Sequence, residues 1–454
     1  MEHHGVHIFG CYGRRFALDP ENVEVSELGE PNLRKMEQGD VSSRAIRAYQ
    51  KALDNATDPP PVASSLEFEN ITDIALLVSQ ECNLRCIYCY ADGGRYDSGG
   101  YMKEETALQS VDWLIQHSGD QERICIRFYG GEPFLKFDLI KKVVNYSKRR
   151  AEEVGKRIHF CVTTNAVLLN AESINFLKEN NIDVVVSMDG PKDIQDMQRP
   201  CVNGEGSYEK TVKQVRSLLK VRPETFARAT VYDDSPKEKV IEGLREIGFK
   251  TPLLTHISGS MFLESSAKQD DDKLMSLIEQ EGESFLKNLR DRNETYFNQG
   301  RIAVMWGRMI RQAMELFISS SKKTIHCSAG RWYVAISCTG EIYPCHRLVG
   351  VENEKIGNVF ENALERDAYR AGPLPHQEKC QSCFARYVCA GSCFHDNLTA
   401  TGSIYETDEI WCSLVRRTVE YGAAIAGSLT QEDKTFLQSQ ECIPTESACP
   451  LDLF

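Results

Sequence analysis

The sequence predicts an α/β protein: a partial (β/α)6 TIM-like barrel, with a small α+β segment before it and a cysteine-rich region after it. Three observations predict this. Six β-rich runs alternate with amphipathic stretches from about residue 70. The unusual residues fall directly after those runs, where a parallel α/β barrel carries its chemistry. The cysteines, 17 in all, gather in two fields instead of being spread along the chain.

The bulk numbers set limits on the reading. A chain of 454 residues is too long for one small core. A formal net charge of −13 argues against a nucleic-acid or anionic-membrane partner, whose expected footprint is basic. No 18-residue apolar run and no signal-peptide pattern are present, so the expected location is cytoplasmic. Closely spaced thiols in a long cytosolic chain point to metal or redox chemistry more than to disulfides. Cys125, Cys161 and Cys201 stand alone and read as ordinary buried cysteines.

Residues 1–66 form a separate segment that ends in the linker-like "NATDPPPVASS", and their "VHIFGCYGRRFALD" reads as a hairpin followed by helical runs. The barrel occupies 67–258. Its strands are "DIALLVS" (73–79), "RICIRFY" (123–129), "RIHFCVT" (157–163), "VVVS" (184–187), "FARATV" (226–231) and "PLLTH" (252–256). Helical segments such as "EETALQSVDWLIQH" and "SYEKTVKQVRSLLK" lie between them, and strands alternating with helices predict a parallel sheet. A helical linker covers 259–325, a cysteine-rich domain of short strands and loops 326–425, and a polar tail with Cys442 and Cys449 426–454.

The loop after the first strand reads "ECNLRCIYCY" and places Cys82, Cys86 and Cys89 in C-x3-C-x2-C spacing. Three thiolates suit one face of a [4Fe–4S] cube, whereas a structural zinc ion wants four protein ligands. Three ligands leave one iron open to a small molecule. "GGEP" (130–133), "TTNA" (163–166) and "SMDGP" (187–191) follow the next three strands.

"CNLRCIYC", with GGEP after the following strand, resembles the signature of radical S-adenosylmethionine (SAM) enzymes. The resemblance implies that the open iron chelates SAM, whose reductive cleavage yields a 5′-deoxyadenosyl radical. It also implies SAM contacts at matching positions. Tyr88 would meet the adenine edge, and Gly130, Gly131 and Glu132 would hold the amino group. Asn165 and Ser187 would lie on the ribose and carboxylate side, and Arg199 would pair with the carboxylate.

The second field reads Cys327-x12-Gly340-x4-Cys345, then Cys380, Cys383, Cys389 and Cys393 in C-x2-C-x5-C-x3-C spacing, then Cys412. All seven cysteines resemble the SPASM extension of radical SAM proteins, which carries two further [4Fe–4S] clusters. The resemblance assigns Cys380, Cys383, Cys389 and Cys412 to an outer cluster. It assigns Cys327, Cys345 and Cys393 to an inner one that is a ligand short; Cys338, another cysteine or a substrate thiol completes it. C-x2-C pairs also bind zinc readily, so a zinc-stiffened peptide-binding scaffold is the non-enzymatic alternative.

SPASM proteins act mostly on peptides. Sulfatase-type maturases usually carry Asp directly after the cysteine of "YPC", and this chain has His346 there. "CSAGRWYVAISCTGEIYPCHRLVGVENEKIGNVF" instead resembles maturases that form thioethers, such as those for six-cysteine (SCIFF) peptides and for the quinohemoprotein amine dehydrogenase subunit. The expected activity is therefore the installation of Cys thioether cross-links in a ribosomally made precursor peptide, with a formylglycine or carbon–carbon maturase as alternatives. The expected partners are that peptide and an electron donor such as flavodoxin or ferredoxin. His346 is a candidate proton-transfer group, and residues 1–66 a candidate leader-peptide module working by β-augmentation.

Overall fold

A computed structural model describes residues 2–3, 6–28, 70–96, 99–231, 237–250, 252–256, 271–294, 305–361, 363–372 and 376–439. The linker-like 55–65 and the tail cysteines Cys442 and Cys449 lie outside the described residues. The chain divides into two compact units.

One unit comprises 66–261 and 328–370. Its six barrel strands are β5 (Asp73–Ser79), β6 (Arg123–Gly130), β7 (Arg157–Thr164), β8 (Asp183–Ser187), β9 (Phe226–Val231) and β10 (Leu253–His256). They pair in parallel and in sequence order, as β/α units with right-handed crossovers do. The sheet does not close. β11 (Tyr333–Ile336) pairs in parallel with β5, and β12 (Glu341–Tyr343) and β13 (Gly357–Asn358) extend the sheet antiparallel from it. The partial barrel expected from the sequence is thus present, with its open side extended by strands from the cysteine-rich region.

The crossovers are α1 (Glu104–His117), α2 (Phe137–Glu153), α3 (Ala171–Glu179), α4 (Lys192–Gln198), α5 (Tyr208–Leu219) and α6 (Lys237–Ile247). α3 starts at a capping box in which the Asn170 side chain accepts from Ser173 N and Ser173 Oγ receives the Asn170 N–H. Strand β5 is buried at every position, the pattern of a strand covered on both faces. Ile74, Leu76, Val78, Ile126, Phe128, Phe160 and Val162 form the apolar layer. Alternation sends Asp73, Cys125, Arg127 and Cys161 to the opposite face, where Arg127 donates to Asp73 Oδ1 at 2.7 Å.

The other unit comprises 1–65, 262–327 and 371–454. Its sheet is an antiparallel meander of β1 (Glu2–His3), β2 (Val6–Cys11), β3 (Arg14–Asp19) and β4 (Glu24–Leu28). The expected hairpin is β2–β3; β3 lies between β2 and β4, and β1 pairs only with Val6 and His7 of β2. Phe16 and Leu18 are fully buried under α9 (Glu409–Ser428), which also packs on α7 (Asp271–Arg290) and α8 (Met305–Ser319). Gly422 lets α9 approach α8 closely: a Cβ there would sit 2.7 Å from the Ile310 carbonyl oxygen. His7 and Glu420 join sheet to helix at 2.7 Å.

Candidate active site

The loop after β5 is held from two sides. On one side Gly131 N donates to Ser79 O at 2.8 Å and Glu132 N to Glu81 O at 2.9 Å, tying the GGEP turn to the start of the cysteine loop. The approach leaves no room for side chains. A Cβ on Gly130 (φ +127°) would lie 2.1 Å from Ser79 O, and one on Gly131 would lie 2.3 Å from Glu81 O. These glycines are therefore required by the contact itself. On the other side Arg85 N donates to Pro200 O at 2.8 Å and Ile87 N to Gln198 O at 3.0 Å, so the segment after α4 props the middle of the loop.

Cys82, Cys86 and Cys89 are all half-buried and carry no disulfide. Leu84 N lies 3.4 Å from Cys82 Sγ, Asn165 Nδ2 3.7 Å from the same sulfur, and Arg199 3.9 Å from Cys86 Sγ. Hydrogen donors aimed at sulfur favour thiolate, the form that binds metal. Burial works against that form, pushing the thiols of Cys82 and Cys86 up to about 12 and about 11. A cation is needed to hold thiolates here, and three sulfurs with N–H donors fit an iron–sulfur cluster.

Glu132 is fully buried and caps the 3-10 turn of residues 133–136. Its oxygens accept from Phe134 N at 3.0 Å, Thr164 Oγ1 at 2.8 Å and Asn165 N at 2.8 Å. Burial still pushes its carboxyl up to about 7 against those three bonds. Asn165 Nδ2 donates to Asn83 Oδ1 at 2.8 Å, so the TTNA turn is fastened both to GGEP and to the cysteine loop. Ser187 closes β8 and is half-buried.

Tyr88 and Arg199 converge on a residue that sequence reasoning did not single out. Asp189, fully buried in "SMDGP", accepts from Arg199 Nε at 2.9 Å and Nη2 at 3.0 Å, from Tyr88 Oη, and from Thr230 N at 2.8 Å. The Arg199 guanidinium also lies 5.3 Å over the Tyr88 ring. Arg199 was expected to meet a ligand carboxylate; in the structure the carboxylate it grips is that of Asp189. The available signal was one acidic residue in a loop after a strand, and such residues are common.

His346 is only 5% exposed. Its Nδ1 lies 2.8 Å from Tyr333 Oη, and its ring lies 4.5 Å from that of Tyr129 and 6.3 Å from that of Tyr90. Cys345 beside it is buried, and Cys338 donates from Sγ to Gly99 O at 3.5 Å while its N–H meets Gln80 Oε1 at 2.7 Å. Cys338 thus packs against the loop at residue 99.

In the other unit Cys380, Cys383, Cys389 and Cys412 share one field. The Cys380 thiol is pushed up to about 12, first by burial and then by Cys389, Cys412 and Cys383. Cys412 Sγ lies 3.2 Å from Thr407 Oγ1 and Cys380 Sγ 3.5 Å from Gln377 Oε1. Ala390, Gly391 and Ser392 all have left-handed backbone, with φ of 56°, 89° and 69°. Such a turn points successive N–H groups into one concavity, a device that iron–sulfur sites use, and the Gly391 N–H reaches Cys389. Cys327 and Cys393 belong to this unit and Cys345 to the sheet unit.

Residues 76–247 match the Radical SAM superfamily. An uncharacterized protein of Methanocaldococcus jannaschii is 36% identical over 145 residues, which are 32% of this chain and 48% of that one, so the match spans about half of that relative. A cysteine-type anaerobic sulfatase-maturating enzyme of Clostridium perfringens is 25% identical over 333 residues, covering 69% of this chain and 86% of that one. The structure of native anSMEcpe with bound AdoMet superposes with a TM-score of 0.63 at 19% identity, covering 81% of this chain and 99% of that one. That of Streptococcus suis SuiB bound to precursor peptide SuiA gives 0.53 at 16% identity, covering 90% and 98%. At these identities the two structures share the fold with this chain. Residues 76–247 are thus a radical SAM domain, of a class that works with SAM and a [4Fe–4S] cluster.

Proposed function

We propose that the chain is a peptide maturase that installs Cys thioether cross-links in a ribosomally made precursor, using one SAM-binding and two auxiliary [4Fe–4S] clusters. The observation that carries the reading is the cysteine loop clamped between the GGEP turn and the segment after α4, with only three sulfurs to offer a cluster. Cys82, Cys86 and Cys89 hold the first cluster. Cys380, Cys383, Cys389 and Cys412 hold the outer auxiliary cluster, and Cys327, Cys345 and Cys393 serve the inner one. When bound, the first cluster and SAM together supply a 5′-deoxyadenosyl radical.

The protein's own groups do the rest. Gly130 and Gly131 let the GGEP backbone pack directly on Ser79 and Glu81 at the start of the cysteine loop, and Glu132 fixes that turn. Asp189 orients Arg199 and Tyr88 as one rigid unit beside Cys86. Forming a C–S bond removes a hydrogen atom from carbon, a proton from the substrate thiol and one electron, and the auxiliary clusters that the second cysteine field would hold would accept that electron. His346, backed by Tyr333, is the acceptor of that proton. The edge of β4, which pairs with β3 alone among the described residues, is where a leader peptide adds as a strand.

Formylglycine formation is the second reading, favoured by the similarity to the Clostridium perfringens enzyme. Mass spectrometry of a small cysteine-containing precursor peptide co-produced with this protein separates the two. A thioether removes two hydrogens per link, keeps the sulfur and blocks alkylation of that cysteine, whereas formylglycine made from cysteine loses the sulfur. A peptide recovered without either change would overturn both readings. About twelve iron atoms per chain are expected on anaerobic reconstitution, four for each cube; a zinc-rich, colourless protein would remove the auxiliary clusters.

A further inference from the structure

Four potential metal donors lie on one face of the parallel sheet, toward the amino-terminal ends of its strands and away from the cysteine loop. The ladder pairs Cys125 of β6 with His159 of β7, and Cys161 of β7 with Asp183 of β8. Paired residues of neighbouring strands point to the same side, as do residues two apart in one strand, so all four share a face. Their atoms are close. Cys125 Sγ lies 3.8 Å from Cys161 Sγ, and His159 Nε2 lies 3.0 Å from Asp183 Oδ2. Among the described residues, His159, Cys161 and Asp183 form the one group of three donors within 4.8 Å of one another, and Cys125 Sγ, although 3.8 Å from Cys161 Sγ, stands outside that group.

These spacings suit a particular ion. Tetrahedral zinc, with Zn–S near 2.3 Å and Zn–N or Zn–O near 2.0–2.1 Å, holds two sulfurs about 3.8 Å apart and a nitrogen and an oxygen about 3.3 Å apart. The sulfur pair already has that separation, and the nitrogen–oxygen pair is a few tenths of an ångström short. The two thiols are buried, while the His159 and Asp183 side chains are 36% and 30% exposed, which gives an ion a path from water. Arg222 donates to Asp183 Oδ1 at 3.1 Å and so leaves Oδ2 turned toward His159. A second group that orients a carboxylate ligand is common at metal sites. Two thiolates and one carboxylate around a dication leave one negative charge, which the Arg222 guanidinium meets at Asp183 and the Arg127 guanidinium, paired with Asp73, meets on the side of the two sulfurs.

We propose that His159, Cys161 and Asp183 bind one zinc(II) ion and that Cys125, its thiol turning toward the ion, supplies the fourth ligand. The site is structural: all four positions are filled by protein, and the ion joins β6, β7 and β8 at the end of the sheet opposite the cysteine loop. It is independent of the radical chemistry and of the substrate.

The test uses the full-length protein with its iron–sulfur clusters reconstituted under anaerobic conditions, then exposed to zinc(II) and dialysed. Elemental analysis is expected to find about one zinc per chain beside the iron, and zinc X-ray absorption to find two sulfur and two nitrogen or oxygen neighbours. Cys161→Ser and His159→Ala should each lose the zinc and leave the iron content unchanged. The wild-type absorption spectrum needs no variant, so it decides even where a substitution fails to fold. Absence of zinc, a four-sulfur environment, or a Cys125–Cys161 disulfide on non-reducing peptide mapping would each overturn the site.

Discussion

The cysteine loop after β5 and the cysteine field that begins at Cys380 place their sulfurs in different electrostatic settings. Around the first, a buried ion pair stands next to the sulfurs: Arg199 reaches Cys86 while Asp189 grips the other side of the guanidinium. Around the second, Thr407 meets Cys412 and Gln377 meets Cys380 beside the left-handed turn at 390–392, and the charges that act on Cys412, those of Lys379, Glu409 and Arg416, are partly exposed and form no buried pair. The first region supplies three cysteines and the second four within one field. A site with a missing ligand has to receive a charged organic molecule and benefits from preorganised charge. A fully ligated cube needs only to be wrapped and supplied with N–H donors.

The largest test of that contrast removes each set in turn. Replacing Cys82, Cys86 and Cys89 together with Ala should remove about four iron atoms per chain and abolish 5′-deoxyadenosine formation. Cys380→Ala with Cys383→Ala should also remove about four iron atoms, yet leave SAM cleavage in place and stop peptide modification. Iron analysis and chromatography of the nucleoside read both outcomes. If the second variant lost SAM cleavage and the first kept it, the roles would be reversed.

Next in size, Asp189→Ala strands the Arg199 charge in the interior. Denaturant unfolding should register a loss of about 3–5 kcal/mol, the cost of breaking a buried pair from one side. Gly130→Ala drives a methyl group into the Ser79 carbonyl at a φ that suits glycine, and about 2–3 kcal/mol is expected from the same measurement, together with weaker SAM binding by calorimetry. Thr407→Val takes one hydroxyl from Cys412 and should cost only about 1 kcal/mol with the iron content retained. A Thr407→Val effect as large as that of Asp189→Ala would erase the distinction between a charged site and a wrapped one.

Much of this was legible in the sequence because it is local. "DIALLVS" and "FARATV" are β5 and β9 to the residue, and "EETALQSVDWLIQH" is α1. Alternation and helical period are written in neighbouring positions and need no tertiary information. The boundary of the cysteine-rich region was less legible. Residues 328–370 fold with the sheet and 371–439 with the N-terminal strands, because β11 finds its hydrogen-bonding partner in β5, some 260 positions earlier. The hairpin at 6–19 was visible, but the placement of β4 on its outer side depends on a register that no pattern in residues 24–28 announces.

The order of the barrel strands and the three-sulfur loop were determined by the sequence alone, since both are set by short-range spacing and by chirality that every L-polypeptide shares. Tertiary structure alone decided that Arg199 and Tyr88 would meet Asp189, that His346 would be enclosed by Tyr333 and Tyr129, and that Cys125 would lie beside Cys161. Those meetings depend on which strands pair and in which register. A shift of one residue would turn the strand residues among them, Cys125, Tyr129, Cys161 and Tyr333, to the opposite face.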